Sequence, residues 1–196
     1  MRSNISNIFQ VPVYTKEIKI DNKSLAKFCM SEYYKNEGAS KSNVGGWHSN
    51  DFTEKDNSDT PLIKNLWPSI KLHSKQFGKE LNLNVKGRLR NLWVNINGYK
   101  DSNSIHLHPG CLISGAYYIK THKNCGDITF YHPSHLQMSH NWLRYEPDEY
   151  NSYNSATWWY PSTEGTLYLF PNWLEHSVKP NLNKREKRIS VSFNIS

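Results

Sequence analysis

The chain has 196 residues, of which 37% are hydrophobic and 21% charged, a composition typical of a globular protein rather than a disordered one. A chain of this length is long enough to bury a hydrophobic core without disulfide bonds or structural metals. The net charge is +7, but the lysines are scattered and no nucleic-acid-binding motif accompanies them, so a nucleic-acid partner is not favoured. No apolar run approaches about 18 residues and the N-terminus has no apolar signal region, so neither a membrane span nor a signal peptide is expected.

The cysteines also limit the class of protein. There are three of them, Cys29, Cys111 and Cys125, with no CxxC spacing. An odd number without that spacing indicates neither a disulfide framework nor a zinc ribbon, and it fits a cytoplasmic location. Aromatic residues make up 13% of the chain, which is typical of β-rich domains and of aromatic-lined pockets.

The first 84 residues are predicted to hold short strands and supporting helices. Residues 8–20 alternate loosely between apolar and polar types and predict one or two short strands. Asp21 is a good N-cap for a helix that runs to about Lys35. The stretch 41–57 is rich in Gly, Ser, Asn and Asp and is predicted to be a loop.

A second helix is predicted to open at Thr60 and Pro61, with the threonine at the N-cap and the proline at the first helical position. Its apolar stripe runs towards Leu81. Pro68 interrupts that stripe, and because proline lacks a backbone N–H, the helix is expected to kink or restart there.

From residue 85 the sequence changes to β-type alternation. Predicted strands lie in the segments VKGRLRNLWVNING, LISGAYYIK, DITFYH, GTLYLFP and RISVSFNIS. Short strands separated by turn signals predict an antiparallel sandwich or barrel, and the helices before them make the class α+β. We therefore expect one domain over 1–196, with the β core in 85–196. Residues 134–163 do not follow this β-type alternation and are predicted to be a long, aromatic-rich functional loop.

Two histidines, His106 and His108, stand two residues apart in the segment NSIHLHPG. On a strand, residues at this spacing point to the same face, where two imidazoles can share a metal ion. His176 is the best candidate for a third ligand, because an apolar strand and a Pro-Asn turn precede it. Such a site suits iron(II) or zinc, although two histidines at this spacing also occur as packing or surface residues.

Arg188 opens the last predicted strand, in which Arg188, Ser190 and Ser192 share one face and the apolar residues take the other. An arginine that points into a barrel needs an anionic partner, and its planar guanidinium can bind a carboxylate through two hydrogen bonds. Alternation alone equally allows the polar face to lie in solvent.

The sequence resembles the 2-oxoglutarate/iron(II) oxygenase superfamily, and more closely a group found in bacteria and their phages, in five ordered segments: NLWVNINGY, IHLHPGCLISGAYYIK, CGDITFYHP, EGTLYLFPNWLEHSV and RISVSFNIS. The likeness covers about Asn91 to Ser196, and the segments NIFQVPVY and NVGGWHS extend it upstream. It implies a double-stranded β-helix, a jelly-roll or cupin-like barrel, with flanking N-terminal helices. It also implies Fe(II) as cofactor and 2-oxoglutarate as co-substrate.

The prolyl hydroxylase branch of that superfamily has an HxD pair, a distal histidine and a later basic residue. By this resemblance His106 and His176 hold the iron. The position of the aspartate is occupied here by His108, so the resemblance implies a three-histidine site, with Asp127 as an alternative source of a carboxylate. No catalytic residue beyond the metal ligands is indicated.

The same resemblance implies where 2-oxoglutarate binds. Arg188 takes the position that binds the far carboxylate of the co-substrate. Tyr118 resembles a tyrosine whose hydroxyl supports that carboxylate, and Ser190 and Ser192 are placed to add hydrogen bonds.

The activity that follows is a dioxygenase that couples decarboxylation of 2-oxoglutarate to oxidation of a substrate by dioxygen, expected to be a hydroxylation. The substrate, a peptide or a small molecule, is not specified by the sequence, and Trp142, Trp158 and Trp159 are the candidates to cover it. Two alternatives are a cupin-like metal enzyme that does not use 2-oxoglutarate and a non-catalytic binding barrel.

Overall fold

The computed structural model describes residues 4–142 and 145–196. Near the N-terminus, strand β1 covers Tyr14–Glu17 and helix α1 covers Asn22–Lys35. The helix begins where predicted, because the Asp21 side chain accepts a hydrogen bond of 3.0 Å from the Ser24 backbone N–H.

The predicted loop 41–57 contains two very short strands, β2 (Asn43–Val44) and β3 (Trp47–His48). The prediction of an unbroken loop is therefore wrong at these four residues. Two residues are too few to produce a visible alternation, and the strands exist because distant parts of the chain pair with them.

The second helical region has two parts. A π-helical turn over Leu62–Leu66 leads into α2, Trp67–Glu80. Thr60 lies just before the turn, and its hydroxyl accepts a hydrogen bond of 3.4 Å from the Ile63 backbone N–H. α2 begins at the residue before Pro68, but the chain stays helical through the π-helical turn that precedes it. The interruption expected at Pro68 is therefore a change of helix type rather than a kink or a restart.

The β core contains eight further strands among the described residues. Their bounds are β4 Leu89–Asn97, β5 Ser102–His106, β6 Ile113–Lys120, β7 Ile128–Tyr131, β8 Thr157–Tyr160, β9 Thr166–Pro171, β10 His176–Val178 and β11 Arg188–Ile195. Each of the five predicted segments contains one of them.

The predicted long loop 134–163 is only partly a loop. A short helix, α3, covers His135–Asn141, and β8 lies within the same stretch. The sequence TWWY of β8 is exposed at three of its four positions and does not alternate, so its pairing with β7 decides its structure. Polar aromatic stretches of this kind give no periodic signal.

The strands form two antiparallel sheets that face each other as a jelly roll. One has the order β1-β9-β6-β11-β4-β3 and the other the order β2-β5-β10-β7-β8. The protein is thus an α+β double-stranded β-helix with flanking N-terminal helices, as expected. None of its described helices is both long and apolar enough to span a membrane.

The two faces of the larger sheet belong to two different apolar clusters. The outer face packs against α1 and α2 through residues such as Val191 and Phe193, which are fully buried. The inner face contributes Tyr118 and Phe170 to a smaller cluster between the sheets, together with Phe130 from β7. The polar residues of β11 share this inner face, so the predicted division of that strand is confirmed.

Candidate metal centre and co-substrate pocket

Three histidines converge between the two sheets. His106 ends β5 and lies directly opposite His176, the first residue of β10, in the antiparallel pairing. His108 completes the group, with ring centroids 5.0 Å from His106 and 4.9 Å from His176. One nitrogen of each ring can be chosen so that all three lie within 4.8 Å of one another. Within the described residues this is the one such group of potential metal ligands, and Asp127 is not part of it.

The sequence interpretation placed His106 and His108 on one strand, but β5 ends at His106. His108 lies in the turn that follows, where its backbone N–H donates to the Asn172 carbonyl at 3.1 Å. The Asn172 side chain donates back to the His108 carbonyl at 3.2 Å. The contacts with Asn172, rather than the pairing of β5, bring His108 to the group.

Each of the three imidazoles uses its Nδ1 atom for a hydrogen bond to a carbonyl oxygen. His106 bonds the Ser104 backbone at 2.7 Å and His176 the Leu174 backbone at 3.0 Å. His108 bonds the Asn194 side-chain oxygen at 2.9 Å. Because these oxygens only accept, Nδ1 carries the proton in every ring, and Nε2 keeps the lone pair that a metal requires.

Burial keeps these rings neutral. Burial lowers the pKa of His108 to about 4, and the neighbouring His106 adds to the effect. Burial also lowers the pKa of His106, and it lowers that of His176 well below its ordinary value. Neutral imidazole is the form that binds metals, so at neutral pH the group does not have to release protons to accept a cation. This donor set fits iron(II).

A narrow cavity with mixed polar and apolar walls adjoins the histidines. It is lined by Tyr118, Ser190 and Ser192, three of the four residues assigned to 2-oxoglutarate binding from the sequence. Asn95 also lines it; the Asn95 amide donates to the Ser192 hydroxyl at 3.2 Å, while its side-chain oxygen is buried without a partner. The cavity therefore offers hydrogen-bonding groups that the protein alone does not satisfy.

Arg188 occupies the same inner face of β11 but does not line the cavity wall. Its guanidinium donates to the backbone carbonyls of Cys125, Gly126 and Lys179, the last two at 3.3 Å. It is only 1% exposed, its Nε has no partner, and no carboxylate of the described residues lies within 4.0 Å of it. Burial lowers its pKa. A buried cation without a counter-ion fits the far carboxylate of 2-oxoglutarate.

The turn before β7 allows this arrangement. Gly126 has a φ of +86°, and a Cβ atom there would lie 2.0 Å from the Lys179 carbonyl oxygen and 2.8 Å from Arg188 Nη1. Only glycine permits both this backbone conformation and this close approach.

The three predicted substrate-side tryptophans are not together. Trp158 pairs with Phe130, and Phe130 pairs with His176, so the three side chains share one face of the sheet. Trp158 and Phe130 line a groove of about 740 Å³, to which residues 6–13 also contribute. Trp159 faces the other way, with the Lys179 ammonium 5.9 Å from its ring. Trp142 is 58% exposed at the end of α3 and lines a different, shallow pocket.

Several residues of the site were missed from the sequence. Trp93, Asn95 and Asn103 line the cavity, and Asn194 bonds His108. His48 is 5% exposed and stacks on Trp93, with the rings 5.5 Å apart and inclined by 14°. Alternation along NLWVNIN would have placed Trp93 and Asn95 on one face, but nothing in that segment indicates which face looks inward.

A family model and several solved structures are similar to this chain. A family model described as "Putative 2OG-Fe(II) oxygenase" matches residues 91–194, slightly more than half of the chain. No curated protein matches the sequence significantly.

Solved structures share the fold over nearly the whole chain. A prolyl-4-hydroxylase from Pseudomonas putida has a TM-score of 0.66 and 11% identity, covering 95% of this chain and 94% of that one. A prolyl hydroxylase from Trichoplax adhaerens, in complex with a peptide fragment of a hypoxia-inducible factor, has a TM-score of 0.63 and 12% identity, covering 93% and 83%. A viral collagen prolyl hydroxylase from Paramecium bursaria Chlorella virus-1, in complex with 2OG, has a TM-score of 0.57 and 11% identity, covering 93% and 94%.

The family match accounts for the chemistry, and the structures account for the fold. Neither supports a metal enzyme that does without 2-oxoglutarate or a non-catalytic barrel. The chain belongs to the 2OG-Fe(II) oxygenase family and is a non-haem iron enzyme that uses Fe(II), 2-oxoglutarate and dioxygen.

Proposed function

We propose that the protein is a hydroxylase in which His106, His108 and His176 hold Fe(II) and Arg188 binds the far carboxylate of 2-oxoglutarate. The observation that carries this proposal is the convergence of three neutral imidazoles, each with Nε2 free, on the barrel face that also buries a guanidinium with no carboxylate partner among the described residues. Iron(II) in such enzymes couples the oxidative decarboxylation of 2-oxoglutarate to the oxidation of a substrate carbon by dioxygen.

The histidine ligands set the charge of the site. Three neutral imidazoles leave both positive charges of Fe(II) uncompensated, whereas a site with one carboxylate ligand would offset one of them. The two carboxylates of 2-oxoglutarate supply that compensation on binding, one near the metal and one at Arg188. The assignment therefore makes metal binding and co-substrate binding strongly cooperative.

Arg188 orients the co-substrate. Its guanidinium already donates to three backbone carbonyls, which fix its position while leaving Nε unpaired. The hydroxyl groups of Ser190, Ser192 and Tyr118 line the adjoining cavity and add hydrogen-bond partners there. A fixed, dehydrated cation of this kind binds a carboxylate with definite orientation.

A peptide side chain is the substrate class that we favour, and a small molecule is the alternative. A groove of about 740 Å³ has Phe130, Tyr153 and Trp158 in its wall. Phe130 connects it to the metal group, because its ring lies 6.2 Å from that of His176. The groove is bordered by β8, an edge strand whose outer side is unpaired within the described sheet. Such an edge accepts an extended peptide by backbone hydrogen bonding.

The assignment of the metal and co-substrate ligands is tested by anaerobic titration of the metal-free protein with Fe(II) and 2-oxoglutarate. The expected result is the visible charge-transfer band of the chelated co-substrate, absent in His106→Ala and weakened in Arg188→Ala. Iron binding without the band would overturn the Arg188 assignment, and no iron binding would overturn the histidine site.

The substrate class is tested by incubating the loaded enzyme with a peptide library and searching by mass spectrometry for the addition of one oxygen atom. Trp158→Ala is expected to lose the product, and Trp159→Ala, whose ring faces away from the groove, is the matched control. Oxidation of small molecules alone, with no peptide product, would contradict the peptide assignment.

A further inference from the structure

One of the three histidines is held by a side chain, whereas the other two are held by the backbone. The Nδ1 atoms of His106 and His176 bond backbone carbonyls, which no substitution removes. The Nδ1 atom of His108 bonds the side-chain oxygen of Asn194 at 2.9 Å. The orientation of His108 thus depends on a side chain, at the position where the resemblance expects a carboxylate ligand.

Asn194 is itself held in a chain of hydrogen bonds that ends at the surface. Its amide nitrogen donates to the Asn91 side-chain oxygen at 2.9 Å. The Asn91 amide nitrogen donates in turn to the carboxylate of Asp51 at 3.1 Å. The Asn194 oxygen also accepts a hydrogen bond of 2.9 Å from the Ser114 hydroxyl.

The carboxylate at the end of this chain fixes the direction of every bond in it. A carboxylate only accepts, so the Asn91 amide must turn its nitrogen towards Asp51 and its oxygen towards Asn194. Asn194 must then turn its nitrogen towards Asn91 and its oxygen towards His108. An oxygen at that position requires a proton on His108 Nδ1 and leaves Nε2 free.

We propose that Asn194 is a positioning residue that holds His108 in the Nδ1–H tautomer, with the direction of the chain set by Asp51. The inference rests on the proposed role of His108 as a ligand, but it concerns a property of the metal-free protein. In the other tautomer Nε2 carries the proton and cannot bind a metal. Asn194 therefore prepares the third ligand before the metal arrives.

The tautomer is measured directly by long-range ¹H–¹⁵N NMR of the metal-free protein, with the His108 signals assigned by comparison with His108→Gln. In the wild type, His108 is expected as the Nδ1–H form. In Asn194→Leu, which has a similar size but no acceptor, the Nε2–H form is expected to appear. Asn194→Asp keeps an acceptor and is expected to restore Nδ1–H, and Ser114→Ala, the matched control, is expected to leave the tautomer unchanged.

A second readout is the affinity for Fe(II), measured by anaerobic titration. Loss of an outer-shell partner raises the Kd by about 10- to 100-fold, so Asn194→Leu is expected to show an increase of that size and Ser114→Ala none. An Nε2–H wild type, or an Asn194→Leu variant with unchanged tautomer and affinity, would overturn the inference. A wild type with the expected tautomer that binds no iron would instead overturn the proposed function and leave the tautomer assignment standing.

Discussion

Arg188 is a buried charge whose partners are all backbone carbonyls among the described residues. Lysine in its place would keep the charge but lose the planar arrangement of donors that pairs with a carboxylate. We therefore expect Arg188→Lys to raise the Kd for 2-oxoglutarate at least tenfold, about 1.4 kcal/mol, while the Kd for Fe(II) alone stays the same. The charge-transfer band in an anaerobic titration measures the constant for 2-oxoglutarate, and anaerobic calorimetric titration with Fe(II) alone measures the other.

Arg185→Lys is the control for that substitution, because Arg185 is exposed three residues earlier in the chain. It makes the same chemical change outside the barrel and is expected to leave both constants unchanged. Equal losses in the two variants would show that the effect is not specific to the buried guanidinium, and no loss in either would show that a positive charge alone is enough to bind the co-substrate.

His48 makes folding depend on pH. Burial lowers its pKa. The hydrogen bond to the Ser49 carbonyl and, to a smaller extent, the charge of Asp51 oppose this effect, and Lys41 adds to it. Below pH of about 6.5 the unfolded chain binds a proton at this residue before the folded protein does, so the free energy of unfolding falls as the pH decreases. The slope contributed by one such group is at most about 1.4 kcal/mol per pH unit.

The measurement is urea unfolding of the metal-free protein between pH 7.5 and 5.5, for the wild type and for His48→Phe. Phenylalanine keeps a ring against Trp93 but has no titrating group. The wild type is expected to lose more stability over this range than the variant does. Parallel curves would show that His48 titrates alike in the folded and unfolded states.

The site residues differ in how much of their role the sequence revealed. His106, His176 and Arg188 stand in motifs that resemble those of a family, so each of them was named as a candidate from the sequence. Asn194 and Trp93 were not, because their roles come from the pairing of β11 with β4 and β6, which no local pattern specifies. Residues within a recognisable motif could therefore be named from the sequence. The residues that contact and orient them, such as Asn194, could be found only once the strand register was known.

At the scale of the element, β6 shows how closely the larger sheet is packed. A Cβ atom on Gly115 would lie 2.4 Å from the ring of Phe193 and 2.6 Å from the Tyr168 carbonyl oxygen. Because the carbonyl belongs to the neighbouring strand and the ring is fully buried, neither moves easily. We expect Gly115→Ala to destabilise the protein by about 1–3 kcal/mol, measured by urea unfolding.

Gly98→Ala is the matched control for this prediction. The nearest atoms to its added Cβ would be the ends of the Asp101 and Lys187 side chains, at 3.3 and 3.6 Å, and these can move. A similar loss of stability in both variants would indicate a general effect of replacing glycine rather than crowding at β6.

Elements with a cap or a continuous pattern were predicted well, and elements created by pairing were not. Helix α1 has its N-cap in Asp21, and β11 alternates over its whole length. By contrast, β2 and β8 are short strands of exposed residues that pair with β5 and β7. Their local sequence carries little preference, so tertiary contacts decide their structure.

At the scale of the molecule, the metal group joins parts of the chain that are far apart in sequence. His106 and His176 lie on different strands, separated by most of the β core. A metal that binds them in the folded protein does not find the same site in the unfolded chain, so binding adds to the stability of the whole fold. Stability is therefore a measure of the site that requires no substrate.

We expect Fe(II), added anaerobically at 100 times its Kd, to stabilise the protein by about 2.7 kcal/mol. For a chain of this size that corresponds to a rise in Tm of about 5–10 °C, reversed by a chelator. His106→Ala is expected to abolish the rise, whereas His140→Ala, an exposed histidine outside the metal group, keeps it. An equal rise in both variants would mean that the iron binds elsewhere on the molecule. An ion bound at the proposed site joins β5 to β10 through His106 and His176, so its stabilising effect has to depend on His106.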